Sequence, residues 1–272
     1  MLFFKEENLL EKRFDNETFI ESFISSVIES RNYYYLPDDI TNKSGFTLSQ
    51  ISFLITTITI PSSFTSIGYY EFKDCSSLKE IKIPSSVKSI GKGCFSGCSS
   101  FKIISIPQKI EIIDDETFKC CSSLEQISIP SSIKTIGNNA FKGCSHLKEI
   151  TLPSSINSIG KGCFCGCISL TTFSIPPSVK SIEDETFKDC INLMEINIHS
   201  KIKSIGKFAF NRCSSLIKIE IPPSVNFIGA YAFRCCSSLK SFDIPSSVKS
   251  IESNLFEKCT SLSKISIPFS DF

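Results

Sequence analysis

Hydrophobic residues recur along most of the chain with a period of 23 residues. In residues 78–83, before Pro84, isoleucine alternates with polar residues, and this two-residue alternation predicts a β-strand. Pro84 ends the strand because proline has no N–H to donate to the next ladder bond. Val87 and Ile90 mark a second extended piece, and a turn or short helical coil follows up to Cys98. Each unit therefore predicts two short strands joined by turns.

The period is unbroken over residues 61–267, which form nine units. Cysteine and phenylalanine each recur nine times, starting at Cys75 and Phe72, and His199 fills the one slot where proline is missing. A unit this short cannot bury its apolar residues alone, so stacked units must place each residue type above itself in a shared core. We call such a set of equivalent residues a column. The columns predicted to face inward are those of Leu78, Ile81, Ile83, Val87, Ile90, Phe95 and Cys98.

The unit reads L-x-x-I-x-I-P-x-S-V-x-S-I-G-x-x-x-F-x-x-C-x-S and resembles the BspA-like (Treponema pallidum-type) leucine-rich repeat. The resemblance implies a right-handed solenoid that serves in protein–protein contact or adhesion and has no catalytic residues. The motif departs from the common leucine-rich repeat, because Pro-Ser-Ser stands at the corner where an asparagine usually follows the strand. The predicted fold is a repeat solenoid, a right-handed leucine-rich-repeat-like coil rich in β-structure with a parallel sheet.

The two ends of the chain lack the regular repeat. Apolar residues at helical spacing between Phe19 and Ile28 predict a short helical N-terminal cap over residues 1–36, and an adaptor helix that docks a partner is the alternative. Residues 37–60 form a degenerate first repeat, since Pro37 lies 24 residues before Pro61. Residues 268–272 are a C-terminal tail. The last strand would expose unpaired backbone groups, which predicts weak self-association through the C-terminal coil or a partner that covers it.

Charge and hydropathy exclude several classes of protein. The 29 basic and 28 acidic residues give a net charge of +1, which argues against a nucleic-acid partner. The start of the chain has no secretory signal, and its most apolar stretch, residues 51–60, is half of the roughly 20 residues that a membrane span needs. We therefore expect a cytoplasmic protein without a membrane span. The alternative is the cell surface, reached by a route without a signal peptide.

The fourteen cysteines are the main candidate for chemistry. Those that recur every 23 residues are predicted to be buried and reduced, because stacked thiols about 4.8 Å apart are too distant for a disulfide. Cys120, Cys165 and Cys235 occupy polar or glycine columns, so we predict that they are exposed. A zinc site at Cys163, Cys165 and Cys167 is disfavoured, because the three do not all fall in inward columns.

Other polar groups offer little for catalysis. The acidic clusters at 114–116 and 183–185 lie 69 residues apart, which indicates a duplicated block of three units, and we interpret them as solvated corners. Their first residues replace a glycine, so that position does not require a positive φ. His146 and His199, the only histidines, are predicted to be surface residues. We expect no metal, no cofactor and no enzymatic activity; a thiol-dependent enzyme is the weakest alternative.

Function is predicted to reside in the outward positions of the sheet, which vary between units while the inward ones do not. An extended polar surface suits a protein partner, so we predict a non-enzymatic protein–protein interaction scaffold, with a cell-surface adhesin of the BspA-like type as the alternative. The predicted partner-binding residues are Glu80, Lys82, Gln126, Glu149, Thr151, Glu195, Asn197, Lys218, Glu220 and Asp243.

Overall fold

The computed structural model describes residues 56–267, where the polypeptide coils into a parallel solenoid of about nine turns. Within this part every strand has two or three residues, and no helix is present. In chain order the strands are β1 (Thr57–Thr59), β2 (Ser66–Ile67), β3 (Glu80–Lys82), β4 (Ser89–Ile90), β5 (Ile103–Ser105), β6 (Ile112–Ile113), β7 (Gln126–Ser128), β8 (Thr135–Ile136), β9 (Ser158–Ile159), β10 (Thr172–Ser174), β11 (Ser181–Ile182), β12 (Glu195–Asn197), β13 (Ser204–Ile205), β14 (Phe227–Ile228), β15 (Ser241–Asp243) and β16 (Lys264–Ser266).

The three-residue strands and their equivalents form one side of the solenoid, which we call the wide face. β1 pairs with β3, β5 with β7, β10 with β12 and β15 with β16, always in parallel. Each pair joins residues 23 apart, such as Ile58 and Ile81. The pairing register is therefore the sequence period, as predicted, and each side chain lies beside its counterpart in the next coil.

The two-residue strands form a second side, which we call the narrow face. β2 pairs with β4, while β6, β8 and β9 form one three-stranded sheet and β11, β13 and β14 another. The proline corner separates the two faces: the carbonyl of Pro84 accepts the N–H of Val87 at 3.1 Å, and the same bond recurs at Pro130 and Pro153. A bond of this span closes a β-turn, so the Pro-Ser-Ser segment is the predicted corner.

The third side consists of turns rather than strands. We call residues 92–98 and their equivalents the turn segments. Alternate N–H groups donate to the next coil, as from Phe95 to the carbonyl of Thr117 at 2.9 Å. The intervening N–H groups bond within their own coil, as from Cys98 to the carbonyl of Phe95 at 3.1 Å. The backbone is thus hydrogen-bonded both within and between coils without strands or helices.

Two positions in each turn segment have a left-handed backbone. They are represented by Gly93 and Gly97, with φ of 61° and 79°, and across the coils thirteen of these residues are not glycine. A non-glycine residue in this region costs on the order of 1 kcal/mol, so the stacked coils must hold it there. Gly91, just before the turn segment, does not have a positive φ, as the acidic residues at equivalent positions predicted. A Cβ on Gly91 would lie only 2.8 Å from the backbone of Gly68.

Columns of identical side chains fill the interior. The phenylalanine rings stack along the solenoid, with Phe141 and Phe164 centred 5.6 Å apart and 1° from parallel. Phe173 meets this stack at an angle from the wide face. The predicted inward residues at Leu78, Val87, Ile90, Phe95 and Cys98 are buried. Ile81 and Ile83 are half-buried, whereas their equivalents one coil later, Ile104 and Ile106, are buried.

The predicted helical cap over residues 1–36 and the tail over residues 268–272 lie outside the described residues. So does most of the degenerate repeat over residues 37–60. Its last part is described, and β1 pairs there with β3 in the register of the regular units. The predicted boundaries of the cap, the degenerate repeat and the tail remain predictions.

Candidate interaction surface

The wide face presents two outward columns that flank the inward isoleucine column on every strand. All ten predicted partner-binding residues lie in these columns and are exposed. They do not converge on one point, because they are spread along the whole solenoid. The densest group comes from three successive coils: Glu195 and Lys218 are equivalent, and Glu220 and Asp243 are equivalent. The wide face is therefore an extended surface.

Ion pairs connect outward residues two positions apart on the same coil. Nζ of Lys218 lies 2.6 Å from Oε1 of Glu220, and Nζ of Lys82 lies 3.9 Å from Oε1 of Glu80. The hydrogen bond that Lys218 donates lowers the pKa of the Glu220 carboxyl, and the positive charge of Lys218 lowers it further. Glu220 in turn raises the pKa of Lys218 through the same hydrogen bond. Both side chains are fully exposed, so the pair shapes the charge of the surface and contributes little to stability.

The wide face is interrupted at two coils. Residues 149–151 and 218–220 occupy strand positions but do not form strands. The two interruptions are 69 residues apart, the same spacing as the acidic clusters. At the second interruption a shallow depression of about 160 Å³ opens, lined by Lys218, Glu220, Ser241, Asp243 and their neighbours. The sequence did not indicate this depression, because the residue pattern there is the same as in other coils.

Apolar side chains also reach solvent beside the predicted residues. Met194 and Ile217, each 49% exposed, directly precede Glu195 and Lys218. Their column holds lysine in four other coils, so the change to Met and Ile was a readable signal that the sequence analysis missed. A surface that combines exposed apolar groups with charged ones is typical of a protein interface.

The cysteine column is reduced and buried, as predicted. Cys75 to Cys236 in this column are buried and Cys259 is half-buried, all as free thiols. Each thiol from the second unit onward donates to the carbonyl of a phenylalanine 26 residues earlier, as Cys144 does to Phe118 at 3.2 Å. Burial is the main cause that raises the pKa of Cys75 to about 12, and the negative charge of Asp74 adds to it. Burial likewise raises the pKa of Cys259 to about 11. These thiols are neutral at pH 7 and lack the thiolate that a nucleophile needs.

The prediction of three exposed thiols is wrong for Cys165. Cys120 is exposed and Cys235 is half-buried, but Cys165 is 7% exposed. The physical reason is that its column lies partly inside the turn segment. Short side chains there, Ser96 and Asn211, are buried as well, whereas lysines in the same column extend their amines to solvent. Within residues 56–267 no three or more Cys, His, Asp or Glu residues form a group that could hold a metal ion.

The acidic clusters bind the backbone of the next coil. Oδ1 of Asp115 accepts the N–H of Asn138 at 2.6 Å, and Oδ1 of Asn138 accepts the N–H of Lys161 at 2.9 Å. Asp184 does the same for the N–H of Lys207 at 2.8 Å. A carboxylate or amide ladder therefore runs along the turn segments. The sequence predicted no asparagine ladder after the strand, and this ladder lies in the turn segments instead.

Serine and histidine side chains also join successive coils. In the Pro-Ser-Ser corner, Oγ of Ser132 donates to the carbonyl of Ile110 at 2.6 Å, 22 residues earlier. His199 replaces the corner proline, and its Nε2 lies 2.9 Å from the carbonyl oxygen of Pro176. His146 is exposed, with Nδ1 2.7 Å from the carbonyl oxygen of Ser122. Both histidines contact backbone carbonyls of the preceding coil, and Nδ1 of His146 also lies 3.4 Å from the hydroxyl of Ser145.

A family model for the BspA type leucine rich repeat region matches residues 46–171 and 157–271 of this chain, with six copies of the repeat. The chain belongs to the BspA-type leucine-rich repeat family. The predicted family and the predicted solenoid are thereby confirmed. The repeat fold suggests a protein-interaction scaffold and leaves the partner unspecified. Within the described residues no helix is long and apolar enough to cross a membrane.

Solved structures of this repeat type are similar to the chain. A leucine-rich repeat protein of T. pallidum is 27% identical with a TM-score of 0.55, over 68% of this chain and 78% of that one. A leucine-rich repeat protein of Bacteroides ovatus is also 27% identical, with a TM-score of 0.51 over 88% of this chain and 89% of that one. The pneumococcal vaccine antigen PcpA, at 22% identity and a TM-score of 0.57, shares the fold over 77% of this chain and 61% of its own. No curated protein sequence matches the chain significantly.

Proposed function

We propose that this BspA-type repeat protein is a non-enzymatic scaffold that binds a protein partner through its wide face. One observation carries the proposal: on each strand of the wide face the inward column repeats nearly unchanged, while the two exposed columns beside it change from coil to coil. Stacking requires the inward residues to be alike, but nothing in the solenoid requires the outward ones to differ. A varied surface on a uniform support is the arrangement expected of a repeat protein that recognises one partner.

The strongest part of this surface is the stretch from residue 194 to residue 243. Met194 and Ile217 supply apolar area, Glu220 and Asp243 supply acidic groups at the depression, and Glu195 adds one on the preceding coil. Apolar contacts give affinity, and the charges around them select a partner of complementary charge. The partner that fits is a protein surface with basic groups around an apolar patch.

The chemistry of the cysteines supports a binding role over a thiol-dependent enzyme. Burial raises the pKa of every cysteine in the column, and these thiols donate to backbone carbonyls. The depression on the wide face is lined by Lys218, Glu220, Asp243 and Ser241 and contains no cysteine. A nucleophilic thiol would need a lowered pKa and access to a substrate.

The test is capture of a protein partner by the intact chain, followed by charge reversal. Glu195→Lys with Glu220→Lys should weaken a captured partner by about tenfold or more, because both side chains are exposed on the proposed surface. The control is Lys161→Glu with Lys188→Glu, which changes the same number of charges near the turn segments. Equal thermal stability of the two variants would show that both are folded.

The opposite pattern would contradict the choice of face. If the wide-face variant retains every captured partner and the control variant releases it, binding occurs on the turn side. A milder variant, Met194→Ser with Ile217→Ser, tests the apolar contribution separately. We expect this variant to bind the partner more weakly, with an unchanged salt dependence of binding because no charge is altered.

The cell-surface adhesin remains the second candidate because the family resemblance includes adhesion. We place the protein in the cytoplasm, and its free thiols favour a reducing compartment. Labelling of intact cells with a membrane-impermeant amine reagent separates the two. Modification of the exposed lysines without cell lysis would establish the surface location and overturn the cytoplasmic one.

Weak self-association through the C-terminal coil is a further part of the proposal. β16 pairs with β15 on one side; Ile265 within β16 is 43% exposed and Ile267 directly after it is 52% exposed. An exposed strand with apolar side chains favours pairing with another chain. Sedimentation over a range of concentrations should show a reversible dimer that Ile265→Lys abolishes. A monomer at all concentrations would refute this part.

A further inference from the structure

A row of lysines runs along the narrow face, opposite in charge to the acidic stretch of the wide face. The column two residues before the buried isoleucines is exposed in every coil. From the first unit to the ninth it reads Thr65, Lys88, Glu111, Lys134, Asn157, Lys180, Lys203, Asn226 and Lys249. We call its five lysines the lysine row. The chain as a whole has a net charge of only +1. The positive charge of the lysine row is therefore balanced by acidic residues elsewhere, and the faces differ in charge.

Backbone pairing fixes the spacing of the row. The N–H of Lys203 donates to the carbonyl of Lys180 at 2.8 Å, which places the two lysines side by side on neighbouring coils, about 4.8 Å apart. Lys201, two residues before Lys203, is also exposed and adds a third charge. The one carboxylate in the column, Glu111, is already paired with Lys134 at 3.0 Å.

The three lysines at 180, 201 and 203 form no ion pair with any residue of the described range. Like charges on facing strand positions repel, and here no carboxylate of the described range lies within ion-pair distance of the three amines. An anionic ligand would relieve it, so ligand binding should stabilise the solenoid. The unpaired lysines therefore indicate that the partner is negatively charged.

The shape of the row indicates the kind of partner. The strands of the narrow face are two residues long, so the row is about one lysine wide and forms a line. A line fits a linear anionic chain better than a planar membrane. The row has no arginine and adjoins a single exposed aromatic, Phe227, whereas nucleic-acid grooves use several rings to stack bases. Phe227 pairs with Ser204 beside Lys203 and offers one apolar contact.

We propose that the lysine row, centred on Lys180 and Lys203, binds an extended acidic peptide segment of a partner protein. Carboxylates on one side of an extended chain recur about every 6.8 Å, and the flexible lysine stems accommodate the difference from the 4.8 Å spacing of the coils. The hydroxyl of Ser204 lies in the adjoining column and can donate to the same carboxylates, whereas that of Ser181 already donates to Oε1 of Glu183 at 2.6 Å. This site goes beyond the wide-face scaffold and has its own partner.

The test uses the full chain and a fluorescent peptide of eight glutamates, with binding followed by anisotropy at low salt. Lys180→Glu with Lys203→Glu should weaken binding by about tenfold or more. The matched control is Lys148→Glu with Lys240→Glu, two exposed lysines beside the wide face with the same change in net charge. The control should bind as the unaltered chain does, and binding by that chain should weaken as salt increases.

Equal loss in the two variants would show attraction to total charge alone and would overturn the proposal. Tighter binding of a single-stranded DNA of equal charge, or of phosphatidylserine vesicles, than of the peptide would overturn the assignment to an acidic protein segment. The wide-face variant Glu195→Lys with Glu220→Lys should still bind the peptide. That result separates the two proposals, because this variant should lose its wide-face partner and still bind the peptide.

Discussion

The turn segments and the wide face are built from the same coils and both carry polar residues, yet their side chains do different things. In the turn segments polar atoms hold the neighbouring coils: Asp184 accepts the N–H of Lys207 in the next coil, and the thiol of Cys190 donates to the carbonyl of Phe164 in the preceding one. On the wide face Glu195 and Asn197 are exposed, and their backbone, not their side chains, pairs with the neighbouring coil.

The difference shows why exposure and polarity alone do not locate a functional surface. A polar side chain that is bonded to a neighbouring backbone cannot be redirected to a partner without cost to the fold. A side chain on the wide face can change freely, and across the coils it does. We therefore expect changes in the turn segments to affect mainly stability, and changes on the wide face mainly binding.

The largest effect expected in the turn segments is unfolding at alkaline pH. Burial raises the pKa of the cysteine thiols, to about 12 for Cys75 and about 11 for Cys259, from the 9.0 of a free thiol. Above pH 9 the folded chain therefore binds more protons than the unfolded one, so the free energy of unfolding falls as pH rises. Each thiol contributes up to about 1.4 kcal/mol per pH unit, and several together should exceed about 5 kcal/mol by pH 10.

Urea unfolding at pH 8, 9 and 10 measures this loss. The control is the same series at high salt, which screens the changing net charge but leaves thiol protonation in place. Stability that is constant from pH 8 to pH 10 would mean that the thiols are not buried as described.

Phe141→Ala should have the next largest effect. It removes one ring from a stack whose neighbours, Phe118 and Phe164, lie 5.4 and 5.6 Å away, and it leaves a cavity in the interior. We expect a loss of about 3–5 kcal/mol in the free energy of unfolding, measured by urea denaturation at pH 7. Thr151→Ala, an exposed change on the wide face, is the control. A loss below about 1 kcal/mol for the phenylalanine would show that the stack is not a continuous core.

Cys144→Ser tests the bond between thiol and carbonyl directly. The shorter serine hydroxyl would reach the carbonyl of Phe118 poorly and would bury a more polar group. We expect a loss of about 1–3 kcal/mol in thermal or urea unfolding. The same change at the exposed Cys120 should be nearly neutral. Equal losses at the two positions would remove the distinction between structural and surface thiols.

The smallest expected difference lies between single polar residues of the two regions. Asp184→Ala removes the acceptor of the Lys207 N–H and the ion pair with Lys161, so it should cost about 1 kcal/mol. Glu195→Ala on the wide face should stay within about 0.5 kcal/mol. If the two variants melt alike, the side chains of the turn segments are no more committed to the fold than those of the wide face.

The period by itself predicted a large part of the molecule. Because every unit has 23 residues without insertion, the pairing register of Ile58 with Ile81, the stack of phenylalanines and the burial of the cysteine column all follow from the requirement that stacked units share one core. The alternation around Ile81 likewise placed Glu80 and Lys82 on the outside, where they are found.

Other features depended on the fold, because they arise between coils and leave no mark in a single unit. The left-handed positions are filled by nine residue types in different coils, namely Gly, Asn, Asp, Glu, Lys, Arg, Cys, Phe and Tyr, so no residue type reveals them. Cys165 was assigned to the surface from its lysine-rich column, but only the packed turn segment decides that a short side chain there is buried while a lysine reaches solvent.

The sequence alone thus determined the family, the repeat register and which residues face inward, because those depend on the order of residues within one unit. The tertiary structure decided how the polar side chains are used. Asp115, Ser132 and Cys144 find their hydrogen-bond partners 22 to 26 residues away, across a coil boundary. Only stacked coils bring these atoms together, and only they show that Lys180 and Lys203 face the same side without a counter-charge.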